Sequence, residues 1–270
     1  MRTIRVWAAV VIIFGLSLMN AGGAEALPAK ALAPPAEVPW TYQDLTGPDY
    51  WSELDPSFAT CTSGQSQSPI DLSAADSIDL VDPDFHYESV PLNLLNNGHT
   101  VQVPYAPGSY IVLNEKKYNL LQFHFHSPSE HAVAGEGRSA ELHLVHQSDA
   151  GELAVVAVLL ESDRKSTNSS TQDLTGYREL SRALPASAGD KVRTDKTINA
   201  SSLLPDKTTT YRYSGSLTTP PCTESVIWLV MTEPISLPAG QILQYERLLN
   251  HNNRPLQSLN FRKVQMDASP

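Results

Sequence analysis

The sequence predicts a mainly β protein of the α+β class, with mostly antiparallel strands and a few peripheral helices. Short runs with strand composition, such as 110–113 and 225–231, are separated by Gly, Pro, Asn and Asp. The run 153–160 is apolar on both faces, which is typical of a buried central strand. Helical patterns are confined to 171–184 and 239–249. Strands therefore dominate, and the helices are expected at the periphery.

The N-terminal part of the chain predicts an export signal and a spacer. Arg2 and Arg5 precede an apolar run at 6–18, and Ala-Glu-Ala at 24–26 has the pattern of a cleavage site, so 1–26 is predicted to be a signal peptide. The Ala/Pro-rich stretch 27–39 predicts a flexible spacer. Residues 40–270 suit a single domain, because no repeat or shift in composition divides them.

Charge and hydropathy limit the partners and the compartment. The formal net charge of −10 argues against nucleic acid or an anionic membrane as a partner. The apolar run at 6–18 is shorter than the about 20 residues that a membrane-spanning helix needs. We therefore expect an exported protein without a membrane partner after signal cleavage. Its location would be periplasmic or secreted, or an organelle lumen in a eukaryote.

Six of the eight histidines lie between residues 99 and 146. Alternate side chains of a β-strand share a face, so Gln122, His124 and His126 would lie on one face of a strand, with the two intervening phenylalanines on the other. The same parity places Glu141 and His143 on one face of the segment 141–146. Two neighbouring strands could thus direct three imidazoles at one point.

Three imidazoles with a fourth position left open are typical of a catalytic zinc site, because the open position holds a water molecule that the metal acidifies. Cys61 and Cys222 lie far from the cluster in sequence and do not read as ligands. The alternative is that each histidine is an ordinary core or surface residue. Three histidines at matching parities favour His124, His126 and His143 as zinc ligands.

Seven segments carry a resemblance to a known family. They occur in the family's order at 67–71 (QSPID), 96–99 (NNGH), 122–126 (QFHFH), 129–131 (SEH), 141–146 (ELHLVH), 215–221 (GSLTTPP) and 253–255 (NRP). On these residues the chain resembles an α-class carbonic anhydrase. The short spacing between His126 and Glu130 is similar to that of the bacterial and plant-like members.

The resemblance implies one large, twisted, mostly antiparallel central sheet with zinc in a conical cleft. It also implies a lyase that hydrates carbon dioxide reversibly to bicarbonate and a proton, using zinc-bound hydroxide and no organic cofactor. Small-molecule ligands would be carbon dioxide, bicarbonate and, as inhibitors, anions and sulfonamides. A homodimer is an oligomeric state that the sequence leaves open.

Residues next to the three predicted zinc ligands also have predicted roles. The resemblance implies that Gln122 orients His124, that Glu141 orients His143, and that a backbone carbonyl near Asn252 serves His126. The first two assignments also follow from same-face spacing, because metal-bound imidazoles donate their second N–H to a partner. An acidic residue such as Glu141 inside an apolar strand needs such a partner.

Three further residues would serve the reaction by resemblance. Thr218 would accept a hydrogen bond from the hydroxide and donate its own to Glu130, and the alternative for Thr218 is a turn residue before Pro220. His99 would carry the proton out of the site, since imidazole titrates near neutrality, although a solvated turn histidine is the competing interpretation. Substrate contacts would come from Val145, Val155, Leu217, Thr218, Thr219 and Trp228, whose apolar members could equally be ordinary core residues.

The two cysteines predict a disulfide, because an exported chain meets an oxidising compartment. The resemblance further implies cis peptide bonds at Ser68–Pro69 and Pro220–Pro221.

Two other functions remain open. A non-catalytic extracellular binding module could share the fold, but such domains lose zinc ligands and all three are present here. A zinc esterase could use the same hydroxide, whereas a His-Glu-x-x-His peptidase motif is absent from the sequence.

Overall fold

The computed structural model describes residues 39–163 and 173–268 of the 270-residue chain. The predicted signal peptide and nearly all of the spacer lie outside the described residues. Within the described residues, no helix is both long and apolar enough to cross a membrane.

Strands dominate the described part of the chain, as predicted. Its strands are β1 Ala75–Ile78, β2 Asp84–His86, β3 Val90–Asn96, β4 Val101–Pro104, β5 Tyr110–Leu113, β6 Lys116–His126, β7 Ala132–Val133, β8 Glu136–Gly137, β9 Ala140–Gln147, β10 Leu153–Asp163, β11 Lys191–Ile198, β12 Thr210–Ser216, β13 Glu224–Met231, β14 Ile235–Pro238 and β15 Val264–Asp267. Its α-helices are α1 Trp51–Leu54, α2 Thr60–Ser63, α3 Thr175–Arg182 and α4 Ala239–Leu249, and short 3₁₀ turns occupy Asp44–Thr46, Pro56–Phe58 and Ala200–Leu203.

Thirteen strands form one sheet, whose main path runs β1-β15-β12-β13-β10-β9-β6-β4-β3-β11. The pairings β1–β15, β10–β13 and β10–β14 are parallel, and the other pairings of this sheet are antiparallel. The mostly antiparallel prediction is therefore confirmed. Strand β10 lies near the middle of the path, and its residues 154–160 are buried, as its two-sided apolar sequence predicted.

The register between β6 and β9 places the two histidine segments side by side. His124 pairs with His143, Gln122 with Val145, and His126 with Glu141. The opposite face of this pair carries four fully buried apolar side chains: Phe123, Phe125, Leu142 and Leu144. We call the histidine side the cleft face and the apolar side the core face.

Helix α4 covers the core face and matches the predicted helix 239–249. Tyr245 stacks on Phe125 with ring centroids 4.8 Å apart. The helix ends at Leu249 and is followed by Asn250, whose left-handed φ of 47° suits a C-terminal cap.

The other predicted helix, 171–184, is shorter than expected. Residues 171–172 lie outside the described residues, and α3 begins only at Thr175, whose N–H donates to the carboxylate of Asp173 at 2.9 Å. The helix ends at Arg182, because Leu184 precedes a proline and is biased away from helical geometry.

The predicted disulfide between Cys61 and Cys222 is present. Both peptide bonds that the resemblance implied to be cis are cis, and so is Ser127–Pro128, which was not expected. The loop 217–223 is closed by hydrogen bonds from the N–H of Leu217 to the carbonyl of Thr223 and from the N–H of Cys222 to the carbonyl of Thr219. The disulfide therefore joins helix α2, which contains Cys61, to the loop 217–223, which carries Thr218.

Candidate metal centre

Three imidazoles converge on the cleft face. One ring nitrogen from each of His124, His126 and His143 lies within 4.8 Å of the corresponding nitrogen of the other two. His126 and His143 are buried, while His124 is only partly buried. His124 and His126 share a face of β6 because they are two residues apart, and the β6–β9 register places His143 beside them.

The second nitrogen of each ring is held by a hydrogen-bond acceptor. His124 donates from Nδ1 to Oε1 of Gln122 at 2.9 Å, and His126 donates from Nδ1 to the carbonyl of Asn252 at 2.7 Å. His143 donates from Nε2 to Oε1 of Glu141 at 2.8 Å. Each neutral ring therefore presents an unprotonated nitrogen to the others, namely Nε2 of His124, Nε2 of His126 and Nδ1 of His143.

This arrangement fits a metal ion. Nε2 of His126 and Oε2 of Glu130 are buried, lack a well-formed hydrogen bond among the described residues, and lie 3.6 Å apart. Two buried atoms that both carry lone pairs are costly without a positive partner. A cation bound by the three imidazoles would supply the missing charge.

Burial keeps the three imidazoles neutral, which is the form that binds metal. It lowers the pKa of His126 to about 4 and lowers the pKa of His143. Burial also depresses the pKa of His124 well below its usual range, with His126 and His143 adding to the effect.

Glu141 is the centre of a buried hydrogen-bond network. Its Oε2 accepts the backbone N–H groups of Glu130 and His131, both at 2.8 Å, and its Oε1 accepts from the ring of His131 at 2.6 Å as well as from His143. Burial opposes ionisation of Glu141, but the two imidazoles hold its pKa well below its usual range. The network continues from Nε2 of His131 to the hydroxyl of Tyr213 at 2.7 Å.

Glu130 lies beside the cluster, with Oε2 3.9 Å from Nδ1 of His143. Its Oε1 accepts the backbone N–H of Arg254 at 2.9 Å, and its carboxyl group interacts with the hydroxyl of Thr218. Burial raises the pKa of Glu130 to about 7, against the opposing effect of His143. The predicted pair Thr218 and Glu130 is thus brought together next to the three histidines.

The expected apolar wall forms one row across three strands. Val145 pairs with Val155, and Val155 pairs with Trp228. Leu217 packs against the same cluster. This row runs beside the row that holds His143, so the wall lies on the cleft face. Thr219 is partly buried in the loop 217–223.

His99 is separate from the three converging imidazoles. Its ring stacks on Trp40 with centroids 3.8 Å apart and planes inclined by 6°. It is partly buried, and its backbone N–H donates to the side chain of Asn97 in the predicted turn. Its carbonyl accepts from the side-chain amide of Asn252 at 3.0 Å, so the turn is tied to the segment that also serves His126.

Sequence reasoning missed four buried side chains around the site. The side chains of His131, Tyr213 and Ser68 form the hydrogen bonds behind Glu141, and Arg254 donates to Glu130 from its backbone N–H while its side chain binds residues 61–68. Ser68, His131 and Arg254 fell within segments that carried the resemblance, but nothing in their local pattern indicated a role. Tyr213 shows no local signal at all.

Comparison with known proteins agrees with this geometry. The family model described as eukaryotic-type carbonic anhydrase matches residues 46–268. A carbonic anhydrase of Nostoc sp. is 41% identical over 258 residues, covering 93% of this chain and 94% of the relative. One of Klebsiella pneumoniae is 36% identical over 228 residues, covering 83% and 89%.

A solved structure is also similar. The α-carbonic anhydrase of Thermovibrio ammonificans, in complex with the inhibitor sulfanilamide, superposes with a TM-score of 0.79 and 36% identity, covering 84% of this chain and 99% of that one. The converging histidines, the sheet that presents them and these matches agree, and the chain belongs to the carbonic anhydrase family of the eukaryotic, or α, type.

Proposed function

We propose that the protein catalyses the zinc-dependent, reversible hydration of carbon dioxide to bicarbonate and a proton. The observation that carries the proposal is the set of three unprotonated imidazole nitrogens within 4.8 Å of one another, each on a ring whose other nitrogen is hydrogen-bonded. Family membership and the names of the relatives support the same activity.

Zinc suits this donor set. Three imidazoles with no thiolate are typical of catalytic zinc, and both cysteines are consumed by the disulfide. We propose that His124, His126 and His143 hold the ion. Bound zinc lowers the pKa of a water ligand to about 7, for which carbonic anhydrases are themselves the standard example, and so makes hydroxide available near neutral pH.

Thr218 and Glu130 would orient the nucleophile. An ionised Glu130 can only accept hydrogen bonds, so the hydroxyl of Thr218 must donate to it. The lone pairs of Thr218 are then left to accept a hydrogen bond from a hydroxyl group beside the histidines. This polarity would turn the oxygen lone pair of that hydroxyl group towards the substrate.

Carbon dioxide is small and apolar and needs no charged anchor. The row formed by Val145, Val155 and Trp228, with Leu217 beside it, offers an apolar surface next to the histidines. We propose that these residues, with Thr218 and Thr219, form the substrate pocket.

His99 is proposed to move the proton to solvent. Imidazole has a pKa of about 6.5 and can accept and release a proton near neutrality. The ring lies outside the metal cluster, on a turn tied to Asn252, and is partly exposed. A relay from the site to bulk buffer requires such a position.

We also propose the partners and the location. Small anions and sulfonamides are expected as inhibitors, consistent with the sulfanilamide complex of the Thermovibrio ammonificans enzyme. Export to a periplasm, an extracellular space or an organelle lumen is supported by the disulfide and by the sequence of residues 1–26. A homodimer, and the exclusion of nucleic acid, stay predictions.

Stopped-flow hydration of carbon dioxide by the purified protein tests the proposal. We expect a fast rate that a chelator abolishes and that one equivalent of zinc restores. Ester hydrolysis measured in the same preparation separates the alternatives. Ester turnover without carbon dioxide turnover would indicate a zinc esterase, and neither activity with zinc bound would indicate a binding module.

A further inference from the structure

We infer that the buried side chain of Arg254 is a positioning residue for the reaction. Its side chain fixes the position of its own backbone amide, which donates to Glu130. It thereby also fixes the position of the Glu130 carboxyl group, with which Thr218 interacts. The inference rests on the proposed function, because it assigns Arg254 a task in that reaction.

The guanidinium of Arg254 is anchored in one segment of the chain. Nη1 donates to Oε1 of Gln67 at 2.8 Å and to the carbonyl of Ser68 at 2.9 Å, and Nη2 donates to the carbonyl of Cys61 at 2.6 Å. The group also lies over the ring of Trp51, 5.6 Å from its centroid. The residue is 2% exposed. Three of its acceptors therefore belong to residues 61–68.

The environment of this cation is unusual. No carboxylate of the described part of the chain forms an ion pair with it. Glu130 acts on it electrostatically without contacting the guanidinium. A buried cation without a carboxylate in contact is costly, so its hydrogen bonds must be well formed to offset the loss of water. Such bonds fix the group rigidly, because any displacement leaves buried donors and acceptors unpaired.

The backbone of the same residue contacts the site. The N–H of Arg254 donates to Oε1 of Glu130 at 2.9 Å, and two residues earlier the carbonyl of Asn252 accepts from His126. Pro255 follows directly and restricts the conformation of Arg254 to extended geometry. A shift of the anchored side chain would therefore be transmitted to the amide.

Arg254 connects three segments of the chain near Glu130, namely residues 61–68, the loop 217–223 and residues 252–254. The anchor segment 61–68 is joined by the disulfide from Cys61 to Cys222 to the loop that carries Thr218. Arg254 ties that segment to 252–254, which supplies the amide donor to Glu130. The amide that donates to Glu130 and the loop whose Thr218 interacts with Glu130 are thus both connected to residues 61–68.

Arg262 provides a matched control. Its guanidinium likewise makes three hydrogen bonds, here to the backbone carbonyls of Leu259, Ser214 and Ser258, and lies 5.7 Å from the centroid of an aromatic ring, that of Tyr213. Arg262 is partly buried, and its backbone N–H donates to Leu259 and not to Glu130. Arg254→Met and Arg262→Met therefore each remove three hydrogen bonds and a contact with an aromatic ring, but only the first removes a link to Glu130.

A double-mutant cycle in the full-length zinc protein tests the inference. We expect Arg254→Met to retain one equivalent of zinc and to lower kcat/KM for carbon dioxide by about tenfold or more, since misplaced catalytic groups are costly. Arg262→Met should stay within about twofold, as a change remote from the reacting groups. In a Thr218→Ala background, where the hydroxyl that interacts with Glu130 is absent, Arg254→Met should add less than about twofold. Equal losses in both backgrounds would overturn the inference.

A second readout does not use activity and also covers a variant that folds poorly. In the metal-free protein, amide hydrogen exchange at position 254 should become faster in Arg254→Met and be partly restored in Arg254→Lys. The amide of Val156 in the central strand reports global unfolding in each variant. Acceleration at 254 that only follows Val156, or that Arg262→Met reproduces, would show a purely structural role. An inactive wild-type protein would instead refute the proposed function.

Discussion

The two faces of the β6–β9 pair both contain buried residues, yet they have opposite chemistry. The cleft face carries His124, His126 and His143. The core face carries the apolar side chains of Phe123, Phe125, Leu142 and Leu144, followed along β9 by His146. His143 and His146 are three residues apart on the same strand, and both are nearly inaccessible to solvent. Burial alone therefore does not distinguish a metal-binding histidine from a core histidine.

The difference lies in what each ring contacts. His143 donates to a carboxylate from Nε2 and directs Nδ1 at two other imidazoles. His146 has its Nε2 2.9 Å from the hydroxyl of Tyr87, stacks on the ring of that residue, and pairs with the apolar residues Leu120 and Ala154 of the neighbouring strands. A metal site requires several free nitrogens at one point, and only the cleft face provides them. The predictions below test this contrast from the largest expected effect to the smallest.

Removing a ligand on the cleft face should have the largest effect. We expect His124→Ala to weaken zinc binding by more than the roughly 10–100-fold that loss of an outer partner causes, because a direct ligand is lost. Carbon dioxide hydration should fall with the zinc content. Metal analysis and stopped-flow rates on the same samples provide the measurement. A full equivalent of zinc bound at wild-type affinity would contradict the assignment.

Thr218→Ala should leave zinc in place but slow the reaction. The substitution removes the group that orients the nucleophile without touching a ligand, and misdirection of this kind costs about 10²-fold. Zinc content and kcat/KM for carbon dioxide are the paired measurements. Thr219→Ala is a matched control in the same loop, for which we expect a much smaller loss. An unchanged rate in Thr218→Ala would leave this threonine as a turn residue.

His99→Ala should affect proton transfer alone. We expect kcat to fall in weak buffer, kcat/KM for carbon dioxide to remain nearly unchanged, and added imidazole to restore kcat, because the relay acts after the chemical step. His86→Ala, at an exposed histidine on β2, serves as the control. An equal fall in kcat/KM without rescue by imidazole would mean that His99 serves the chemistry or the fold.

The core-face histidine should influence stability and not catalysis. Burial lowers the pKa of His146 to about 3, whereas in the unfolded chain the pKa is about 6.5. Between these values the unfolded state binds the extra proton, so the free energy of unfolding falls as pH decreases, by up to about 1.4 kcal/mol per pH unit.

His146→Gln removes this titration and should flatten the dependence between pH 6.5 and about 3. Denaturant unfolding of metal-free wild-type and variant proteins at several pH values measures the difference. We expect zinc content and hydration rate of the variant to remain close to wild type. A parallel pH dependence in both proteins would show that His146 is not held neutral by the fold.

The sequence alone determined the features that depend on local periodicity and composition. The alternation in 122–126 and 141–146 was enough to assign faces, because side chains of a strand alternate whatever the strand packs against. The apolar run 153–160 identified the central strand, and the helix 239–249 was placed with its observed bounds. Two cysteines in an exported chain allow only one intramolecular disulfide.

Only the tertiary structure decided which distant groups meet. The carbonyl of Asn252, which the resemblance implied but no residue pattern indicated, and the amide of Arg254 reach His126 and Glu130 across more than 120 residues, and backbone groups leave no mark in a sequence pattern. The stacking of His99 on Trp40 and the contact of His131 with Tyr213 likewise depend on how remote segments pack. Periodicity predicts the face on which a side chain lies, but its hydrogen-bond partner is set by the register and loops that bring separate segments together.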